Sequence, residues 1–171
     1  MKKKAIVISL IVFLCLTSML TAANAQTTTK SREKSFAVGA GIFIHQENGE
    51  THTHYFDFSV TDTNTKNSPQ GTFHLVCVHG KEIVMIIRSN EITSFEVESV
   101  TGGKMATFTG SATVKMDNGL WEEGWTFTVT ALDLNGRNDD AIGIKLLNPQ
   151  GDVHCSMDPI PIAVGNIIIK N

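Results

Sequence analysis

Residues 105–114, Met-Ala-Thr-Phe-Thr-Gly-Ser-Ala-Thr-Val, and residues 125–131, Trp-Thr-Phe-Thr-Val-Thr-Ala, decide the fold class. In the first stretch Ala106, Phe108, Ala112 and Val114 alternate with Thr107, Thr109, Ser111 and Thr113. In the second, Trp125, Phe127, Val129 and Ala131 alternate with Thr126, Thr128 and Thr130. Successive strand side chains point to opposite faces, so one apolar and one hydroxyl-bearing face is the pattern of a half-buried strand. Threonine suits the outer face, because its branched Cβ fits a pleated surface and its hydroxyl is solvated.

The same period extends outward in both directions. Phe36, Val38, Ala40, Ile42 and Ile44 share one face, as do Phe56, Phe58 and Val60, then Phe73, Leu75 and Cys77, and finally Ile142, Ile144 and Leu146. Turn signals separate the runs: Asn48-Gly49, Asn118-Gly119 and Asn135-Gly136 take the positive φ of tight hairpins. Ser68-Pro69-Gln70-Gly71 and Asn148-Pro149-Gln150-Gly151 place Pro and Gly at β-turn spacing. Residues 81–88 are apolar on both faces and read as a central strand, and Asn166 to Asn171 as a last strand docked into the sheet. No stretch after the leader carries a helical period. The expectation is all-β: one antiparallel β-sandwich or barrel-like domain over residues 36–171.

A helical signal peptide, residues 1–25, precedes this domain, and a polar lead-in covers residues 26–35. Lys2, Lys3 and Lys4 come before an uncharged run from Ala5 to Leu16, and Ala23-Asn24-Ala25 gives the small residues of a cleavage site. The apolar run is shorter than the roughly 20 residues needed to cross a bilayer, so no membrane span is expected after cleavage. Export to the periplasm or the medium follows. Cleavage removes three lysines and leaves 11 basic residues against 17 acidic ones, a net charge of −6. Without a basic cluster, nucleic acid is excluded as a partner.

Four features could carry chemistry or binding. His52 and His54 lie two apart on one strand face, and His45 could meet them across the Asn48-Gly49 turn, a set suited to Zn²⁺ or Cu²⁺. Ordinary hairpin residues are the competing reading. Asp133, Asn135, Asp139 and Asp140 cluster oxygen ligands suited to Ca²⁺, although the spacing is not that of an EF-hand. Here the competing reading is a polar loop that caps its own backbone. Cys77 and Cys155 survive cleavage, and they are either a disulfide or two buried thiols. Trp121, beside Glu122 and Glu123, could stack on a protein or carbohydrate ligand. No nucleophile elbow, His-Glu-x-x-His helix, phosphate loop or dinucleotide fingerprint occurs.

The order of several segments also resembles a group of small exported bacterial β domains, the post-COAP domain family. The resemblance rests on Gly39-Ala40-Gly41-Ile42-Phe43, Tyr55 to Val60, Gln70-Gly71-Thr72-Phe73 and Ile92-Thr93-Ser94-Phe95, then on Met105 to Val114, Trp125 to Thr130 and Asp133. It implies an all-β fold and a bacterial exported setting, and it carries no established activity or site residue. The histidine-rich stretch 45–54 and the paired cysteines depart from it. The sequence thus leads to an exported, non-catalytic binding or structural module without a cofactor. The alternatives are a calcium-stabilised adhesive module and, behind it, a small metal-dependent hydrolase using His45, His52 and His54.

Overall fold

The computed structural model describes residues 34–47, 49–62, 69–117, 119–135 and 139–171. The expected signal peptide, residues 1–25, and nearly all of the expected lead-in lie outside the described residues. Eight strands follow in order: β1 (Phe36–Glu47), β2 (Glu50–Thr61), β3 (Gln70–His79), β4 (Glu82–Val100), β5 (Gly103–Met116), β6 (Trp121–Leu134), β7 (Ala141–Leu147) and β8 (Val153–Lys170). Each pairs antiparallel with the next, and β8 returns to pair with β1, from Phe36↔Lys170 to Phe43↔Ile162. The sheet is therefore a closed barrel. Closure removes the free edges that would recruit other strands.

An eight-stranded barrel has an interior just wide enough for side chains to fill or for one small ligand to enter. Here aromatics fill most of it. Phe58 and Phe108 lie 5.2 Å apart, Phe73 and Phe127 5.1 Å, and Phe73 meets Phe108 edge-on at 6.0 Å. The two decisive stretches behave as the alternation requires: Ala106, Phe108, Ala112 and Val114 on β5, and Trp125, Phe127, Val129 and Ala131 on β6, are all buried.

Three strand readings need correction. On β1 the buried residues are Ala37 and Phe43, while Ala40 is exposed and Ile44 is 49% exposed. The inward face is Ala37, Gly39, Gly41 and Phe43, opposite to the aliphatic stripe. The glycines are inside because the Phe58 and Phe56 rings of β2 occupy the space their side chains would need. Residues 82–88 belong to β4 and Lys81 to the turn before it, but a closed barrel has no central strand: Met85 and Ile87 face in, and Ile83 is 49% exposed on the outer wall. The last strand starts at Val153, not at Asn166. Its register with β7 shifts between Ile142 and Ile144, which accommodates Pro159 within the strand.

Candidate functional site

At the end of the barrel where β1 turns to β2, β3 to β4, β5 to β6 and β7 to β8, the interior is left unfilled. A cavity of about 360 Å³ opens there. Its lining combines imidazoles (His45, His52, His54, His154), thiols (Cys77, Cys155) and thioethers (Met85, Met116, Met157), with Val84, Ser156, Glu47 and Asp117 completing the wall.

The strand register explains why these residues meet. His45 is directly opposite His52 on the β1–β2 ladder, and His52 is opposite His79 on β2–β3. Two residues along, His54 is opposite Cys77. Cys77 then pairs with Met85, and Met85 with Met116, so a row of sulfur side chains crosses β3, β4 and β5. Cys155 and Met157 enter from β8, opposite Leu146 and Ile144. Facing residues on adjacent strands have Cβ atoms about 4.5–5.5 Å apart, so each pair is held within contact distance by backbone hydrogen bonds alone.

His54 forms the floor of the cup. It is 3% exposed, and its ring stacks flat on Phe43, with centroids 4.4 Å apart and planes at 3°. Its Nδ1 is buried without a hydrogen-bond partner. Burial, reinforced by His45 and His52 nearby, pushes its pKa down to about 4, so the ring is neutral at pH 7. Its Nε2 lies 4.0 Å from Cys77 Sγ, and His52 Nδ1 lies 3.8 Å from the same sulfur. Burial, and then Cys155, pushes the Cys77 thiol up to about 11. Cys155 is raised as well, mainly by burial and further by Glu47, against an opposing backbone hydrogen bond at Leu146. Both thiols are free. At the rim His79 stacks on His52 with centroids 5.0 Å apart and lies 3.5 Å from the Glu50 carboxylate.

The structure thus gathers His45, His52 and His54, with ring centroids 6.3 and 6.4 Å from His54 to the other two. It also brings Cys77 and Cys155 to the same cavity. Asp133, Asn135, Asp139 and Asp140 are elsewhere, at the opposite, filled end. Asp140 is buried, and its two carboxylate oxygens accept the Leu134 amide at 3.1 Å and the Ile167 amide at 2.8 Å. Asp133 accepts the Ile169 amide at 2.8 Å. These acids therefore tie β8 to the end of β6 and to the residue before β7. The Asn135 amide donates to the Gly102 carbonyl at 2.7 Å, Asp139 is exposed, and residues 136–138 lie outside the described residues. Trp121, 41% exposed, lies on the outer wall under the Arg88 guanidinium, 4.5 Å from its ring centre.

Sequence reasoning missed His154 and the three methionines, and it reads the face shared by Cys77 and His79 as core. His154 stands on a segment whose prolines hid the strand. Among the described residues, no three His, Cys, Asp or Glu side chains stand ready-made as a metal site. Comparison with known proteins gives no match among family models, curated proteins or solved structures.

Proposed function

We propose that this chain is an exported, non-catalytic binding barrel that holds a small ligand in the cup between the β1–β2 and β7–β8 turns. The observation that carries this reading is the asymmetry of the interior. Phe58, Phe73, Phe108 and Phe127 pack one part of the barrel solid, whereas the open end leaves about 360 Å³ lined by polar and sulfur side chains. Ligand sites commonly have volumes of about 300–1,000 Å³, so this space suits one compact molecule or ion.

Binding is favoured over thiol chemistry by the state of Cys77. A nucleophilic cysteine needs a depressed pKa or a base that takes its proton. Here the thiol is raised to about 11 while its neighbour His54 is lowered to about 4. Neither shift creates a thiolate. The signal-peptide pattern at residues 1–25 supports the exported setting.

Titration with N-phenylnaphthylamine, a neutral fluorophore of suitable size, tests the cup. Saturable binding near one per chain is expected. It should be abolished by Val84→Trp, which fills the cup from its wall, and kept by Ile168→Trp on the exposed outer face. Absence of saturable binding, or equal binding by both variants, overturns the reading.

A further inference from the structure

We propose that the cup is a soft-metal site that takes a monovalent copper ion, Cu(I), with Cys77, His54 and His52 as its inner ligands and methionine thioethers beside them. The inference rests on the binding reading above and names its ligand.

The first argument is chemical composition. Five of the chain's six histidines, His45, His52, His54, His79 and His154, lie at this one end of the barrel. Both cysteines outside the leader are there, and so are three of the four methionines outside it. Thiolate and thioether ligands select soft ions, Cu(I) above all, whereas hard cations take oxygen. Thioethers distinguish the candidates further, because the usual protein ligands of zinc are thiolate, imidazole and carboxylate. A cup that presents methionine beside cysteine and imidazole suits copper better than zinc.

Geometry supplies the second argument. Nitrogen and sulfur ligands sharing one ion are about 3.5 Å apart, given metal–nitrogen and metal–sulfur bonds of about 2.0 and 2.3 Å. The Cys77 sulfur is 3.8 Å from His52 Nδ1 and 4.0 Å from His54 Nε2. These are too long for strong hydrogen bonds and a few tenths of an ångström beyond ligand spacing. The His52 and His54 ring centroids are 6.4 Å apart, so His52 turns towards His54 on binding while His54 keeps its stack on Phe43.

His54 provides the third. It is a buried imidazole bordering the cavity, 3% exposed and clamped on Phe43. One ring nitrogen has no partner, and the other has only the weak contact to sulfur. A buried polar side chain without satisfied partners costs stability. An ion on Nε2 would offset that cost with a coordinate bond. The rim favours a cation, since Glu47 and Asp117 line the cup. On binding, the Cys77 thiol proton is exchanged for the ion and leaves to solvent, with no change of oxidation state.

The test is a competition for Cu(I) under reducing, oxygen-free conditions, with bicinchoninate as the coloured competitor and the purified chain as the acceptor. One equivalent of Cu(I) should be withdrawn from the competitor. Cys77→Ser, close in volume, and His54→Gln should each weaken retention by at least about tenfold, the low end for disturbing a metal site. His74→Ala, on the outer wall 3.0 Å from Asp57, should leave it unchanged. Far-ultraviolet circular dichroism and the urea unfolding midpoint of each variant show that the barrel is intact. Failure to retain Cu(I) overturns the copper proposal, as does tighter binding of Zn²⁺ or unimpaired binding by Cys77→Ser. If the fluorophore still binds, the cup reading stands without copper; if neither binds, both fall.

Discussion

Gly39 lies directly beneath the ring of Phe58: a Cβ on the glycine would stand 2.6 Å from Phe58 Cε1 and 3.0 Å from Ile167 Cγ1. The two residues are also cross-strand partners on β1 and β2, so the ring of one strand covers the bare backbone of the other. Phe58 in turn meets Phe108 at the centre of the aromatic cluster. Overpacking a close-packed interior costs about 1–3 kcal/mol. Gly39→Ala should fall in the upper part of that range in urea denaturation. Ala40→Val, one residue along and exposed, should stay within about 0.5 kcal/mol of the parent. Equal effects would mean that β1 presents its aliphatic face to the core.

That contact also shows what the sequence could and could not say. Alternation alone located β5 and β6, because each has an unbroken apolar face against a hydroxyl face. On β1 the same rule chose the wrong face. There the bulk that fills the core comes from Phe56 and Phe58 on the neighbouring strand, so small residues inside and aliphatics outside invert the usual contrast. The cup was half legible. His52 and His54 announce a shared face by their spacing, whereas Cys77, Met85 and Met116 are joined only by the registers of β3, β4 and β5. Register across three strands is set by turn lengths and bulges, such as the shift between Cys77 and Val78, which periodicity does not reveal.

Asp140 should be one of the most sensitive acidic positions in the domain. Its carboxylate satisfies the Leu134 and Ile167 amides, and removing it leaves two donors in a mostly dry region. Each unsatisfied donor costs about 1–3 kcal/mol, so Asp140→Ala is expected to lose about 2–4 kcal/mol in urea denaturation. Melting temperatures in EDTA and in added Ca²⁺ should coincide. A Ca²⁺-dependent rise that disappears in Asp140→Ala would instead support the calcium-stabilised reading.

The metal-free thiols should react slowly. Thiolate is the reactive form, and with Cys77 raised from 9.0 to about 11 the fraction ionised at pH 8 is about a hundredfold below that of an unperturbed thiol. Iodoacetamide labelling followed by mass spectrometry should show Cys77 modified about a hundred times more slowly than in the urea-unfolded chain. Labelling at the unfolded rate would mean that the thiol is neither buried nor raised. A 2 Da loss with no labelling at all would show a Cys77–Cys155 disulfide in place of the free pair.

His54 should make the barrel weaker in mild acid, and the sign follows from where the proton binds. In the unfolded chain its pKa returns to the ordinary 6.5, whereas in the fold burial first, and then His45 and His52, hold it at about 4. Between those values the unfolded chain binds the proton and the folded one does not. Stability is therefore full above about pH 6.5 and falls as the pH drops towards 4, at up to 1.4 kcal/mol per pH unit and about 3 kcal/mol in all. Carboxylates such as Asp140 also weaken the fold in acid, so the contribution has to be isolated by difference. His54→Phe keeps the stack on Phe43 and removes the titrating group. Urea midpoints converted to free energies should show the variant gaining about 2 kcal/mol on the parent between pH 8 and pH 5. Parallel pH profiles for the two proteins would show that His54 titrates normally, and the floor of the cup would then be open to water.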